Sequence, residues 1–508
     1  MTARFAQGFG AAIVYVLATQ AAYADLTAND VWADWKDYLA STGYSVTGDE
    51  QSSAGNLTIN NLSIEMPIPD DDGSFAITMD ALTFAENGDG TVSITMPDNI
   101  PMTFHSEADD DGPVTGVLTY AHTDTGMTAS GSPEDVTYAY ASTRATMELT
   151  SLSIDNEPMP EEMLRVLVAL ENIDTKTRLL KGDLRTYSQQ MTADVVNYDI
   201  AFDDPESEDM GSFKGVMQNV SVEGTGAIPL ELDPDDFDAS LQDGFAVDAT
   251  MAYGAGNTAI DGVGDGSPFS FASSSQGGTL GFKMDANGIA YDVEQKQPSI
   301  SMQGAELPVP VEIAAAVTAF NLSMPVRKSD EDQDFAIGLN LNEFTMSEML
   351  WSMIDPAAQL PRDPATVMMD AVGKGKMLFN LLDPTEAALI EQAGNPPAEI
   401  SALTINKLLV SLVGASVTGT GDFTFDNSDT TTMNGYPRPT GFIDLKLAGA
   451  NALLDKLSSM GLVAEQEAMG ARMMMGLLAV PGDEPDTLNS KIEINDQGHI
   501  MANGQRIQ

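Results

Sequence analysis

The run LTINNLSI, Leu57 to Ile64, places apolar side chains at offsets 0, 2, 5 and 7 with polar residues between them. At about 100° per residue these offsets scatter round a helix, so no helical face collects them. On a strand, the odd step between offsets 2 and 5 turns the apolar set to the opposite face unless one residue bulges out and restores it. The spacing therefore predicts a bulged strand, or one that passes between two layers. It recurs in MELTSLSI from Met147 and LNLNEFTM from Leu339, and more loosely in ITMDALTF from Ile77, VTAFNLSM from Val317 and LTINKLLV from Leu403. The starts step by 20 and 70 residues in the first half and by 22 and 64 in the second. In a chain that is 43% apolar, such a window arises by chance about twice. The matched steps, rather than the number of copies, raise the expectation of an internal duplication.

Other elements follow from period and punctuation. DLTANDVWADWKDYLASTG predicts a helix capped by Thr27, with Val31, Trp32, Trp35, Tyr38 and Leu39 on one side and Gly43 as its stop. From Asn56 the chain turns to short strands broken by PDDDGS, ENGDG and ADDDG. PEEMLRVLVALENI predicts a second helix, with Pro160 in its first turn and Leu164, Leu167 and Val168 inward. Residues 200 to 300 read as the least regular, with FDDPESEDMGS, LDPDDFDAS and GAGNTAIDGVGDGS as long loops. In EFTMSEMLWSMIDP, Thr345 and Glu348 suggest a capping box, Met349, Leu350, Met353 and Ile354 the buried side, and Asp355-Pro356 the stop. Near the C-terminus a strand runs into a helix with Leu453, Leu454 and Leu457 inward and Gly461 as the stop. A methionine-dense helix follows, and then a hairpin turning at Asp496 to Gly498.

These elements divide the chain into a leader (1–24), an N-terminal helix plus antiparallel sheet half (25–245), a Gly/Asp/Ser-rich connecting region (246–300) and a C-terminal sheet and helix half (301–508). The expected fold class is α+β, with extended antiparallel β-sheets and short helices packed on one face, in two duplicated halves.

The leader has Arg4, an apolar run from Phe9 to Ala18, and Ala22 and Ala24 before Asp25. That is the layout of a secretory signal cleaved after Ala24, which predicts a periplasmic protein. Nothing after residue 25 is apolar for the roughly 20 residues that a spanning helix needs, so no transmembrane anchor is expected. The chain has no Cys, which removes thiolate chemistry, Cys-ligated metals and disulfides. Its net charge of −53 repels phosphate backbones and anionic headgroups, so neither nucleic-acid binding nor direct membrane adsorption is expected.

Catalytic signatures are missing. There is no GxSxG elbow, and VGKGKM (Val372 to Met377) lacks the phosphate-loop spacing. GVGDGS and GTGDF read as turns rather than as parts of a dinucleotide site. His105, His122 and His499 form no HxxxH pair and are expected in turns or facing solvent. Aligning Gly112 with the glycine of an EF-hand brings Glu107, Asp109 and Asp111 to ligand positions, but Leu118 occupies the place of the bidentate Glu. No catalytic residue, metal or cofactor is therefore assigned, and a non-catalytic protein is expected.

The remaining candidate chemistry is apolar. Among 29 methionines, Met349, Met353 and Met473, together with Leu454 and Leu477, are either ordinary core filling or a candidate apolar groove, since thioethers repack around irregular partners. LWSMIDPAAQLPRDPAT (Leu350 to Thr366), the GTGDFTFD strand and PTGFIDLKLAGANALLDKLSSMGLV resemble, in order and wording, an uncharacterised family of secreted alphaproteobacterial proteins, domain of unknown function 2125. The motif Asp355, Pro356, Pro361, Arg362, Asp363 and Pro364 carries the resemblance most specifically. Its expected structural role is helix termination and a rigid loop, with Arg362 pairing an acid. Membership implies an exported envelope protein and brings no catalytic residues. Two functions remain open on the sequence: a periplasmic protein that binds or carries an apolar ligand such as a lipid, or a non-catalytic structural or protein-interaction component of the envelope.

Overall fold

The computed structural model describes residues 25–67, 73–108, 112–204, 207, 209–230, 237–383, 385–386 and 396–508. The expected leader, and with it the cleavage site, lies outside the described residues, as do Asp109 and Asp111. The chain forms two compact units, Met1–Asp235 with Ala239–Ser273 and Asp236–Asp238 with Ser274–Gln508. Every described strand pairing within each is antiparallel.

The first unit opens with helix α1 (Ala28–Ser41). Strands β1 (Ser45–Ser53), β2 (Asn56–Pro67), β3 (Ser74–Glu86), β4 (Val92–Thr95), β5 (Asn99–Ala108), β6 (Gly112–Thr123), β7 (Gly126–Ser132), β8 (Asp135–Ile154) and β9 (Glu157–Pro158) follow. The long strands β10 (Leu164–Lys181), β11 (Leu184–Asp203) and β12 (Met210–Pro229), helix α2 (Phe237–Gln242), and β13 (Ala246–Tyr253), β14 (Gly256–Gly264) and β15 (Ser267–Ser275) complete the series. Thr27 caps α1 through the Asp30 amide, and the Asp30 carboxylate returns the bond to the Thr27 amide. The helix lays Val31 and Trp32 on Leu57, Ile59, Leu62, Leu82 and Phe84, and Phe84 is 0% exposed. Trp35 stands edge-on to Phe84 at 5.4 Å and donates its indole N–H to Tyr138 Oη at 2.9 Å.

This core explains the opening pattern. Leu57, Ile59, Leu62 and Ile64 are all buried, the β1–β2 register shifts between Thr47 and Asp49, and Asn61 has φ 51°. The bulge at Asn61 therefore returns the apolar set to one face. Thr150, inside MELTSLSI, is skipped in the β6–β8 register, and LNLNEFTM and LTINKLLV break register after Leu341 and Ile405. VTAFNLSM is different: it pairs through without a break and presents Phe320, Leu322 and Met324 from one face.

Two expectations are corrected here. PEEMLRVLVALENI is not a helix; most of it lies in β10, held between β8 and β11. Val166, Val168 and Ile173 suit a pleated surface, and pairing on both sides overrides the local helical period. The described residues between 200 and 300 are not largely loop but fall mostly in strands β11 to β18, with most of GAGNTAIDGVGDGS in β14; much of LDPDDFDAS and part of FDDPESEDMGS lie outside the described residues. Glycines in these strands punctuate less than they accommodate: Gly215 lies opposite Tyr198 and Gly226 opposite Tyr187, where an added Cβ would fall 2.4 and 2.3 Å from the Cζ atoms of the two rings. A glycine in such a strand seats an aromatic ring.

The second unit contains β16 (Gly278–Asp285), β17 (Gly288–Lys296), β18 (Ser299–Gly304), β19 (Val311–Ala314), β20 (Val317–Met324) and β21 (Gln333–Met346). Helix α3 (Glu348–Ile354) leads to β22 (Ala365–Met377), β23 (Ala398–Leu412), β24 (Ala415–Asp426) and β25 (Arg438–Ala448). Helices α4 (Ala450–Ser459) and α5 (Glu465–Leu478) precede β26 (Val480–Pro481), β27 (Thr487–Ile494), β28 (Ile500–Ala502) and β29 (Gln505–Arg506). Nine strands run side by side in the order β16, β17, β20, β21, β22, β23, β24, β25, β27.

The Thr345 to Glu348 capping box is also corrected. Ser347 is the N-cap, it makes no side-chain cap bond, and Glu348 is already helical. Met349, Met353 and Ile354 are exposed rather than buried, because α3 spans only seven residues and presents that side to solvent.

Candidate apolar binding face

Residues directly opposite each other in antiparallel strands point to the same face. One row in the second unit runs Phe282, Tyr291, Leu322, Ile337, Ala371, Ile405, Gly421, Ile443, Ile492. The row beside it on that face runs Leu280, Val293, Phe320, Leu339, Met369, Leu408, Gly419, Leu445, Ser490. None of these side chains is charged. At about 4.8 Å between strands, the nine span roughly 38 Å along the sheet. The intervening positions face the other way and carry Asp292, Asn321, Asp370 and Lys407, with Asp422 and Asp444 farther along.

In the first unit α1 covers β2 and β3 to near-zero exposure, while Phe202 and Phe213 on the long strands are exposed. In the second, Leu280, Tyr291, Phe320 and Leu339 are exposed and the other large side chains of the two rows are half-buried. Only the small residues Ala371 and Gly421 of these rows are buried. A face of this size left open is far from ordinary for a soluble domain, whose apolar patches are normally covered or used.

One end of this sheet is built differently from the other. The strand ends at Met346, Ala365, Leu412, Ala415, Ala448 and Thr487 lie together by register, and α3, α4 and α5 are attached there. Of the sequence-derived groove residues, Met349 and Met353 are on α3, Leu454 is on α4, and Met473 and Leu477 are on α5. Leu454 is half-buried and the other four are exposed. α4 packs on β24 and on α5, α5 packs on β27, and Arg472 pairs with Asp455 at 2.5 Å. Leu454, Met473 and Leu477 are thus on neighbouring helices, while α3 stands farther along the same end.

The Asp355 to Pro364 segment is a structural turn. Asp355 is fully buried, and its carboxylate accepts the amides of Gln359 at 2.9 Å and Leu360 at 2.7 Å. Arg362 donates to the Asp355 carbonyl at 3.3 Å, pairs with Glu348 and lies over the Trp351 ring at 5.7 Å. Pro361 abuts Gly414 in the turn between β23 and β24, while Pro356, Asp363 and Pro364 are exposed. These residues fix the helix end of the sheet and take no part in the open face.

Other polar features lie elsewhere. An open depression of about 700 Å³ in the first unit is lined by polar residues, Asp49, Glu50 and Asp80 among them, and by none of the candidate apolar residues. His122, expected to face solvent or a turn, is buried, with Nδ1 hydrogen-bonded to Thr125 Oγ1 at 2.5 Å. Its position on β6 beside Tyr120, in an apolar setting, explains the difference. Among the described residues, no group of three or more His, Asp or Glu side chains is arranged to hold a metal ion.

Sequence reasoning missed Phe320, Leu339 and Tyr291 as site residues. Their alternation is visible within each strand, but only the pairing register shows that the rows join across nine strands.

A family model described as an uncharacterized protein conserved in bacteria (DUF2125) matches residues 232–502. No curated protein sequence matches the chain. Among solved structures, the alcaligin outer membrane receptor FauA of Bordetella pertussis aligns over 91% of this chain and 68% of its own, at 9% identity and a TM-score of 0.17.

Proposed function

The chain belongs to the DUF2125 family of uncharacterised bacterial proteins, and from that premise we propose that this member is a non-catalytic, exported protein that holds an apolar ligand, such as the acyl chains of a lipid, along the open face of its second sheet. The observation that carries the reading is the pair of uncharged rows across nine strands, left half-exposed. Burying that surface under a ligand gains about 25 cal/mol per Å² of apolar area. The leader sequence supports export to the periplasm, where a lipid in transit needs shielding from water. The absence of nucleophile and metal-ligand motifs from the sequence supports a binding role over a chemical one.

The test is titration of the purified protein with a fatty-acid fluorophore whose emission rises in apolar surroundings. Saturable binding that Leu339→Asp weakens by about tenfold or more, with competition by phospholipid, is the expected result. Binding absent, or indifferent to Leu339→Asp, contradicts the proposal.

A further inference from the structure

Helix α5 presents Met469, Met473 and Leu477 at successive i, i+4 positions, 70%, 72% and 58% exposed. On α3, at the same end of the sheet, Met349 and Met353 repeat the spacing and are also exposed. Among the described residues, the turns of the opposite end carry Asp330, Glu331 and Asp332 between β20 and β21, Asp426 and Asp429 around the end of β24, and Asp496 after β27, together with the exposed Tyr436. The exposed thioethers at helical spacing are at the α3–α5 end.

The helix end also suits a lipid boundary for a backbone reason. Strand edges and turns expose amides and carbonyls, which are costly to remove from water, whereas helices satisfy those groups internally. An amphipathic helix can lie in the interface with its apolar side inserted. The ligand chemistry adds a requirement: an acyl lipid has to be taken from, or delivered to, an assembled lipid phase, so the trough needs a place where it meets one.

We propose that the α3–α5 end of the second sheet is a bilayer-docking surface that seats on uncharged or zwitterionic lipid through its methionine and leucine stripes and opens the apolar face to that lipid. The inference rests on the proposed ligand reading and names the partner from which the ligand comes. Charge selects the type of surface. Glu348 on α3 and Glu465 and Glu467 in the first turn of α5 flank the stripes, and the chain carries −53 overall, so anionic headgroups are repelled. The docking is apolar, and it departs from the composition-based expectation of no direct membrane adsorption because the exposed methionines, not charge, make the contact.

The experiment is flotation of the full protein with phosphatidylcholine vesicles, and with vesicles containing added phosphatidylglycerol, for the wild type, Met473→Glu, Met469→Lys and the conservative Met473→Leu. Unfolding midpoints confirm that each variant is folded. The expected result is flotation with phosphatidylcholine, reduced by phosphatidylglycerol, lost by about tenfold in Met473→Glu and Met469→Lys, and kept in Met473→Leu. Lipid bound to the same preparations, read by native mass spectrometry, should persist in Met473→Glu, which separates failure of docking from failure of the trough. No flotation of the wild type, flotation indifferent to both charged substitutions, or a Met473-dependent dimer in place of vesicle binding would each overturn the proposal.

Discussion

Phe320 and Leu339 stand directly opposite each other on β20 and β21, both on the uncharged face, and they are 39% and 43% exposed. A cross-strand apolar pair normally gains from being covered as well as from meeting its neighbour. Here the pair meets but is not covered, which leaves room for the proposed ligand. Leu339→Asp should therefore cost little stability, about 1 kcal/mol or less in urea unfolding, while Phe84→Ala in the closed core should cost about 3–5 kcal/mol. Equal losses at the two sites would mean that the second unit's face is as well packed as the first's.

Asp34 ties α1 to the long hairpin of β10 and β11. Its carboxylate receives the Arg185 guanidinium at 2.8 and 2.9 Å and lies 2.9 Å from Lys181 Nζ, with its side chain 4% exposed. Removing one member of such a group strands the others, at about 3–5 kcal/mol. Asp34→Ala should lower the unfolding midpoint accordingly. Arg165→Ala, which breaks the exposed pair with Asp199, should cost about 1 kcal/mol or less.

The Asp355 turn makes a local prediction. Asp355→Ala leaves the Gln359 and Leu360 amides without their buried acceptor, at about 1–3 kcal/mol. Hydrogen exchange at Leu360 should accelerate in the variant, while fluorophore binding to the sheet face should be unchanged. Loss of binding with no change in exchange would give this motif a direct ligand role.

A pH prediction comes from the connection after β24. The Thr432 hydroxyl and amide, then Arg438, hold the Asp429 carboxyl down to about 2. A depressed folded-state value means that ionised Asp429 stabilises this turn above the unfolded value of about 3.9, and that the contribution fades as pH falls through about 2. The carboxyl carbon resonance of Asp429 should titrate with a midpoint near 2. Thr432→Val should raise it, and an ordinary midpoint in the wild type would contradict the hydrogen-bonded geometry.

Much of the local structure was legible in the sequence. Thr27 and Gly43 bracket α1, Gly461 follows α4 with φ 73°, and the LTINNLSI spacing correctly implies a bulge. The errors arose where neighbours decide. β10 has a passable helical period, and only pairing on both sides makes it a strand. The glycines of GAGNTAIDGVGDGS read as loop signals because the ring that Gly262 of β14 faces, Phe269, is on another strand. The methionine content did not point to the open face, because the broader feature, two uncharged rows across nine strands, depends on register. Register is a relation between distant segments that a single strand's alternation does not contain.

The most direct test of the central claim is native mass spectrometry of the protein purified gently from its own cells, followed by organic extraction of what stays bound, for the wild type beside a Phe320→Asp, Leu339→Asp variant. The wild type should carry a discrete added mass that extracts as lipid and is lost from the folded variant. A wild-type chain without adduct, or an adduct retained in full by the variant, would contradict the claim.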